Sequence, residues 1–227
     1  YGIQKIGAIV CPCGPLNKAH ELQYQLSDLS ARFIIAADNL LPIVDQVRAD
    51  TSLQHVLGVR YGDLLPAEPT LAVPAEIQGA RAPLPSGCID MLQVAQQGAA
   101  QGLRPAPVKV AMDDVALMTY TSGTTGLPKG CMHTNRTMMS NTCGGGQWGY
   151  ASAESVTLAV VPMFHITGML YGVLGPVFLG ATTVIMPRWD RELCGRLISL
   201  YKVTHWTCIP TMIIDLFGSP NYKSFDL

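Results

Sequence analysis

Strand-like and helix-like segments alternate down the second half of this chain, and no other feature restricts its possible folds as much. From Val115 the pattern reads strand over 115–121, a glycine-rich loop, helix over 134–143, strand over 156–161 and helix over 167–179; then strand over 181–186, helix over 190–201, strand over 203–209 and helix over 211–217. Strands separated by helices are joined by crossovers, which connect parallel neighbours and run right-handed. The expected product is a largely parallel sheet covered by helices. The first third has the same order: strand at Ala8 to Val10, amphipathic helix at Lys18 to Leu29 with Leu22, Leu26 and Leu29 on one face, strand at Phe33 to Ala36, helix at Asn39 to Val47 and strand at His55 to Val59. Between these stretches, breaks at Gly62, Pro66, Pro69, Pro74, Gly79, Pro83 and Pro85 make residues 62–87 irregular, and Cys88 to Gln101 reads as one more helix. The fold class expected is α/β, as two doubly wound, largely parallel subdomains over residues 1–107 and 108–227.

Composition removes several classes of function. The 227 residues hold 15 Lys+Arg and 16 Asp+Glu, a net charge of -1, so the basic excess that phosphate neutralisation requires of a non-specific nucleic-acid binder is absent. With 48% hydrophobic residues the chain is not disordered. Charged residues are only 14%, against about 25% in an average globular chain. That deficit, a first residue Tyr1 and no leader pattern predict a fragment whose surface is partly covered in the whole protein. Ile166 to Met186 is 21 residues without a charge, long enough to span a membrane. Gly168, Gly172, Gly175, Pro176 and Gly180 interrupt it, however, and Ala181 to Met186 reads as a buried strand, so no transmembrane segment is expected. Cysteines 11, 13, 88, 131, 143, 194 and 208 are odd in number and scattered, which suits a reducing, cytoplasmic setting. The pair Cys11 and Cys13 lacks the second pair of ligands that zinc needs.

The strongest chemical signal follows the strand at Val115 to Tyr120: Thr121-Ser122-Gly123-Thr124-Thr125-Gly126-Leu127-Pro128-Lys129-Gly130. Glycines let backbone approach a ligand, the hydroxyls and free N–H groups converge on it, and Lys129 adds a mobile cation. Such a loop at the carboxyl end of a parallel strand suits a polyphosphate, by the logic that makes nests and helix N-termini anion sites. It is not a Walker A motif, because Lys129 lies between Pro128 and Gly130, and it is not a G-x-G-x-x-G fingerprint.

TSGTTGLPKG resembles the phosphate loop of the adenylate-forming superfamily, and the resemblance continues through VVPMFHITGM and YKVTHWTCIPTM. The PMFHITG wording is most similar to fatty acid and related acyl-CoA ligases. The resemblance implies an ATP-dependent acid–CoA ligase: a carboxylate, ATP and magnesium give an acyl adenylate and pyrophosphate, and coenzyme A then takes the acyl group. It implies that Thr121, Ser122, Gly123, Thr124, Thr125, Gly126 and Lys129 hold the nucleotide phosphates, with Lys129 also catalytic and Thr121 near magnesium. It places His165 catalytically where carboxylate and α-phosphate meet, and Ile166 and Met169 along the acyl channel, with Phe164 packed inward. The expected partners are a small carboxylic acid, ATP and coenzyme A, without nucleic acid, and a homodimer for the full-length protein. Medium- or long-chain fatty acids are the expected substrates. An aryl acid ligase and a non-catalytic nucleotide- or acyl-binding module are the alternatives. No Tyr-Gly-x-Thr-Glu segment, ribose-binding aspartate motif or lid lysine is found, and the family's magnesium carboxylate falls beyond Leu227, so the isolated fragment is expected to be inactive.

Other residues are less specific. Asp113-Asp114 reads as a solvated start to the strand rather than a catalytic pair, and Asn135 as a helix cap. His205 and Trp206 read as core or pocket wall, and Gly144 to Gly146 with Trp148 as either a mobile gate or a helix terminator.

Overall fold

The computed structural model describes residues 1–73, 77, 83–121 and 126–227, which form two compact units. One is Cys13–Ala106; the other joins Tyr1–Pro12 to Pro107–Leu227. The sequence division at 107/108 thus differs at Tyr1–Pro12. The physical reason is pairing: Val10 forms a parallel bridge with Leu117, accepting from Met118 N–H at 2.9 Å and donating to Ala116 at 3.1 Å. That bridge replaces the strand expected at Ala8 to Val10.

In the unit Cys13–Ala106, parallel strands β1 (Phe33–Ala37), β2 (His55–Val59) and β3 (Cys88–Asp90) lie in the order β1-β2-β3. After the single-turn α1 (Gly2–Lys5), the helices of this unit are α2 (Ala19–Asp28), α3 (Leu41–Arg48) and α4 (Met91–Ala100). Helix α3 starts at a Pro in its first turn, where the missing N–H costs nothing. It buries Leu41, Val44 and Val47, the 3–4 spacing that puts apolar side chains on one stripe. These join Leu22, Leu26, Ala36, Leu53 and Val56 in one core. The expected helix over Cys88 to Gln101 divides in two. Cys88–Asp90 pairs with Val56, Leu57 and Gly58, and Asp90 then caps α4 by accepting from Gln93 N–H at 3.1 Å.

The second unit holds β4 (Val115–Tyr120), β5 (Gly130–Thr134), α5 (Asn135–Trp148) and β6 (Val156–Ala159). A continuous helical run follows: α6 (Ile166–Met169), a π-helical turn (Leu170–Leu174) and α7 (Gly175–Leu179). The chain continues through β7 (Thr182–Ile185), α8 (Arg191–Tyr201), β8 (His205–Trp206) and α9 (Pro210–Phe217). Strands β7-β6-β8 form a parallel sheet with β6 central. Thr157, Leu158 and Ala159 of β6 are all buried, as expected of a strand covered on both faces.

One part of the parallel expectation needs correction. β4 pairs antiparallel with β5, from Val115↔Thr134 to Tyr120↔Gly130. Sequence reading gave Gly130 to His133 no strand and began a helix at 134. The glycine-rich segment is therefore the connection of a β-hairpin, not a strand-to-helix crossover. α5 starts only after β5, with Thr134 as its cap, accepting from Thr137 N–H at 3.2 Å. Among the described residues no helix is long and apolar enough to cross a membrane.

Candidate active site

The feet of the hairpin loop are tied together. Thr121 N–H donates to the Lys129 carbonyl at 3.0 Å, and Lys129 N–H donates to Thr121 Oγ1 at 3.4 Å. Ser122, Gly123, Thr124 and Thr125 lie outside the described residues. Of the described remainder, Thr121, Gly126, Leu127 and Lys129 are exposed and Pro128 and Gly130 half-buried. Gly126 keeps an ordinary φ, and a Cβ there would meet nothing within 4 Å, so this glycine leaves open space instead of serving a left-handed turn. Because the loop closes a hairpin, it leads into β5 and not directly into a helix N-terminus. Binding an anion there falls to loop N–H groups, hydroxyls and the Lys129 ammonium.

The second part of the site is the turn after β6. His165 N–H donates to the Pro162 carbonyl at 3.1 Å, and the His165 carbonyl accepts from Met169 N–H at 3.0 Å. Its ring Nδ1 accepts from Thr167 N–H at 3.3 Å, so His165 caps α6. The turn is possible because residue 168 is glycine. A Cβ there would stand 2.2 Å from the Pro162 carbonyl oxygen and 2.5 Å from that of Val161, both backbone atoms. In the sequence Gly168 stands out only as a break in the apolar segment. Its structural signal is the tight return from Pro162 to Met169, which needs a residue without a side chain. His165 is exposed, as is Phe164 at 39%, against the expectation that Phe164 packs inward.

Both parts stand on one apolar cluster. Leu117 of β4, Met138 of α5 and Leu170 of the π turn are buried together, and Ile166, Met169, Val10 and Leu174 pack against them half-buried. Ile166 and Met169 thus give part of their surface to this core and remain partly exposed. The strand that ends in the glycine-rich loop and the helix capped by His165 share a foundation, so shifting one loads the other.

Several neighbours play roles that the sequence did not single out. Asn135 is the first residue of α5, not its cap; its side-chain amide donates to the carbonyls of Ala111 at 3.0 Å and Asp114 at 3.4 Å. Asp113 forms a two-pronged ion pair with Arg136, at 2.7 and 3.0 Å, and this exposed pair holds the Asp113 carboxyl below the usual carboxylate range by hydrogen bonding and charge. Gly145 is neither gate nor terminator. It lies within α5, where a Cβ would come 2.4 Å from the Tyr171 ring, so the glycine lets helix and π turn pack closely. His205 Nε2 donates to the Gly149 carbonyl at 2.9 Å, its Nδ1 shares a hydrogen bond with Thr204 Oγ1 at 2.8 Å, and Trp206 stacks on Trp189 at 5.8 Å.

Magnesium fits the described donors poorly. Thr121 offers one neutral hydroxyl, and the described residues contain no group of three His, Cys, Asp or Glu suited to a metal, whereas magnesium is held through carboxylates and substrate phosphates.

The family model described as AMP-binding enzyme matches residues 1–226. The chain belongs to the AMP-binding enzyme family. Its relatives in that family include a long-chain-fatty-acid–CoA ligase of Bacillus subtilis, 29% identical over 231 residues, covering 100% of this chain and 41% of that protein. A 4-coumarate–CoA ligase of Pinus taeda is 31% identical over 225 residues, covering 97% of this chain and 37% of that protein. Among solved structures, an anthranilate CoA ligase in complex with anthranoyl-AMP aligns with a TM-score of 0.77 at 23% identity, over 100% of this chain and 40% of that one. The N-terminal domain of FACL13 from Mycobacterium tuberculosis aligns with a TM-score of 0.74 at 24% identity, over 100% and 50%. The chain spans about two fifths of the length of the curated AMP-binding relatives it matches. At these identities the structural likenesses establish the shared α/β fold of the family.

Proposed function

We propose that this chain is part of an ATP-dependent acid–CoA ligase, holding its phosphate loop and part of its acid pocket. The observation that carries the reading is the loop Thr121 to Gly130, with its feet clasped between Thr121 and Lys129, in a chain of the AMP-binding family. The first half-reaction brings a carboxylate oxygen onto the α-phosphorus of ATP, and pyrophosphate leaves. Two anions approach each other, so charge neutralisation and positioning dominate the barrier. Lys129 supplies the cation, and Thr121, Ser122, Gly123, Thr124, Thr125 and Gly126 supply hydroxyls, N–H groups and open backbone to the phosphates. His165 meets the carboxylate and α-phosphate, with Ile166 and Met169 beside the acyl chain. Coenzyme A takes the acyl group in the second half-reaction, and residues 1–227 by themselves make no acyl-CoA.

The substrate reading is a medium- or long-chain fatty acid. The exposed parts of Ile166 and Met169 are aliphatic, and each methylene buried there gains roughly 0.8 kcal/mol. An aryl acid is the second reading, favoured by the similarity to 4-coumarate–CoA ligase. Acid-dependent exchange of pyrophosphate into ATP by the intact protein tests both, using alkanoates of increasing length beside benzoate and 4-coumarate. Activity rising with chain length supports the aliphatic reading; preference for the aryl acids over every alkanoate replaces it. Lys129→Ala is expected to slow exchange by about tenfold or more, since a charge-assisted contact to phosphate is worth about 1.5–3 kcal/mol. An unchanged rate and unchanged ATP affinity would remove Lys129 from the site.

A further inference from the structure

Strand β5 has little of its own to fix where it lies along β4. None of its residues is buried: Cys131 and Met132 are exposed, and Gly130, His133 and Thr134 are half-buried. A strand with no buried face specifies its register weakly. Residues 122–128 also make a longer connection than the turns of about two to five residues that dictate hairpin register. Gly130 adds one constraint, since a Cβ there would stand 2.9 Å from Met118 Sδ, but that atom ends a flexible side chain and can move. The pairing nevertheless shifts partway. Val115 faces Thr134 and Leu117 faces His133, so Ala116 is one extra residue on β4, a β-bulge. Carried straight along the hairpin, the first pairing would set Met118 opposite Cys131 and Tyr120 opposite Lys129. In the observed register Tyr120 faces Gly130, and Lys129 lies opposite Thr121. A one-residue slip turns every side chain of the sliding strand to the other face, so the bulge decides the face on which Lys129 stands. Contacts hold the bulge from both sides. The Ala116 carbonyl accepts from Val10 N–H at 3.1 Å and from Gln4 Nε2 at 3.4 Å. At the open end of the hairpin, Asn135 N–H donates to the Asp114 carbonyl at 3.1 Å, and its side-chain amide donates to the carbonyls of Ala111 and Asp114. We propose that Asn135 and Gln4 are positioning residues, which hold the bulge at Ala116 and thereby set the face that Lys129 presents to the nucleotide.

The role of Lys129 rests on the ligase reading, but the register can be measured without turnover. The probe is the intact protein carrying Thr119→Cys or Met118→Cys beside native Cys131, oxidised with diamide, its disulfides located by peptide mass spectrometry. Residue 119 faces Cys131 in the observed register, and residue 118 would face it in the unbulged one. Directly opposed residues stand about 4.5–5.5 Å apart at Cα, within disulfide reach. With Asn135 and Gln4 in place, the link from 119 to 131 is expected and the link from 118 to 131 is not. Asn135→Asp keeps the side chain's shape and puts a favourable charge in the first turn of α5, but loses both donated bonds. Gln4→Glu removes the donor at Ala116. Either change is expected to produce the link from 118 to 131; a pattern unchanged in both overturns the proposal. A role confined to starting the helix would leave the crosslinks unmoved. Because a slip displaces Lys129 by a whole residue, Asn135→Asp is also expected to lose about tenfold or more in pyrophosphate exchange. Exchange at the wild-type rate by a protein that shows the slipped crosslink overturns the connection to Lys129. If the wild-type protein exchanges no pyrophosphate with any acid, the ligase reading fails, while the crosslinks still decide the register.

Discussion

Replacing Gly168 with alanine should damage this protein, although the usual effect of that change in a helix is favourable. Alanine in place of glycine inside a helix gains about 0.5–1 kcal/mol from backbone entropy. At residue 168 the new methyl would stand 2.2 Å from one carbonyl oxygen and 2.5 Å from another, distances that real Cβ atoms do not show. Restoring van der Waals contact requires a retreat of about 1 Å, and both obstacles are backbone atoms that cannot rotate away. Overpacking of this kind costs typically 1–3 kcal/mol, enough to cancel the helix gain and leave a net loss of about 1–2 kcal/mol. The displaced element is the turn that carries His165, bonded to Pro162 at one end and to Met169 at the other. A misplacement of about 1 Å at a reacting group can cost on the order of a hundredfold in rate. The assays are urea denaturation and pyrophosphate exchange on the intact protein, with Gly98→Ala as control, because a Cβ at that helical glycine meets nothing within 4 Å. The control should be neutral or stabilising. If Gly168→Ala matched it in both midpoint and exchange rate, the close approach would carry neither stability nor function and the argument would be refuted.

Cys194 should resist alkylation in the native protein while exposed Cys131 reacts, because burial first, then the charges of Cys208 and Asp190, push the Cys194 thiol up to about 12 and alkylation requires the thiolate. Peptide mass spectrometry after iodoacetamide treatment checks this; equal labelling of both cysteines before unfolding would contradict it. Glu192 accepts from Ser219 Oγ at 2.5 Å and from Asn221 Nδ2 at 3.1 Å, and these bonds, in that order, with the nearby Arg191 charge, depress its carboxyl pKa. A depressed folded value gives stability that is fully present above the unfolded carboxylate range of about 4.3 and is lost as pH falls through the folded value. Glu192→Gln should therefore flatten the acid limb of the stability curve below about pH 4.3, read as urea midpoint against pH, and parallel curves for variant and wild type would count against the contact.

What the sequence revealed, and what it concealed, follows from the range of the interactions involved. Strand β2 at His55–Val59 is a short run holding Val56, Leu57 and Val59, and a helical turn at Tyr61–Leu64 follows it closely. Helices α8 and α9 announce themselves through Asp190, which accepts from Leu193 N–H at 2.8 Å, and through Pro210 in the first turn. By contrast, Gly130 to Thr134 has no strong strand composition. It becomes β5 because β4 offers it a partner, and Thr134, a helix cap by type, also closes the ladder opposite Val115. Residue types in the loop pointed to phosphate chemistry, but they did not show that its two ends meet each other.

The same distinction separates His165 from Gly168. A histidine after Pro-Met-Phe is visible as a chemical group, and family resemblance gives it a place; a glycine three residues on reads as punctuation. Only the packed turn shows the dependence between them. Carbonyls of Val161 and Pro162 occupy the space where residue 168 would carry a methyl, and those same residues begin the turn whose next hydrogen bonds hold His165. A residue that does chemistry advertises its type, whereas one that makes room is identified only by what lies against it. That is why the hydroxyls, lysine and histidine proposed for the site could be picked out by type in the sequence, and why the glycine that lets the turn at His165 close required the fold.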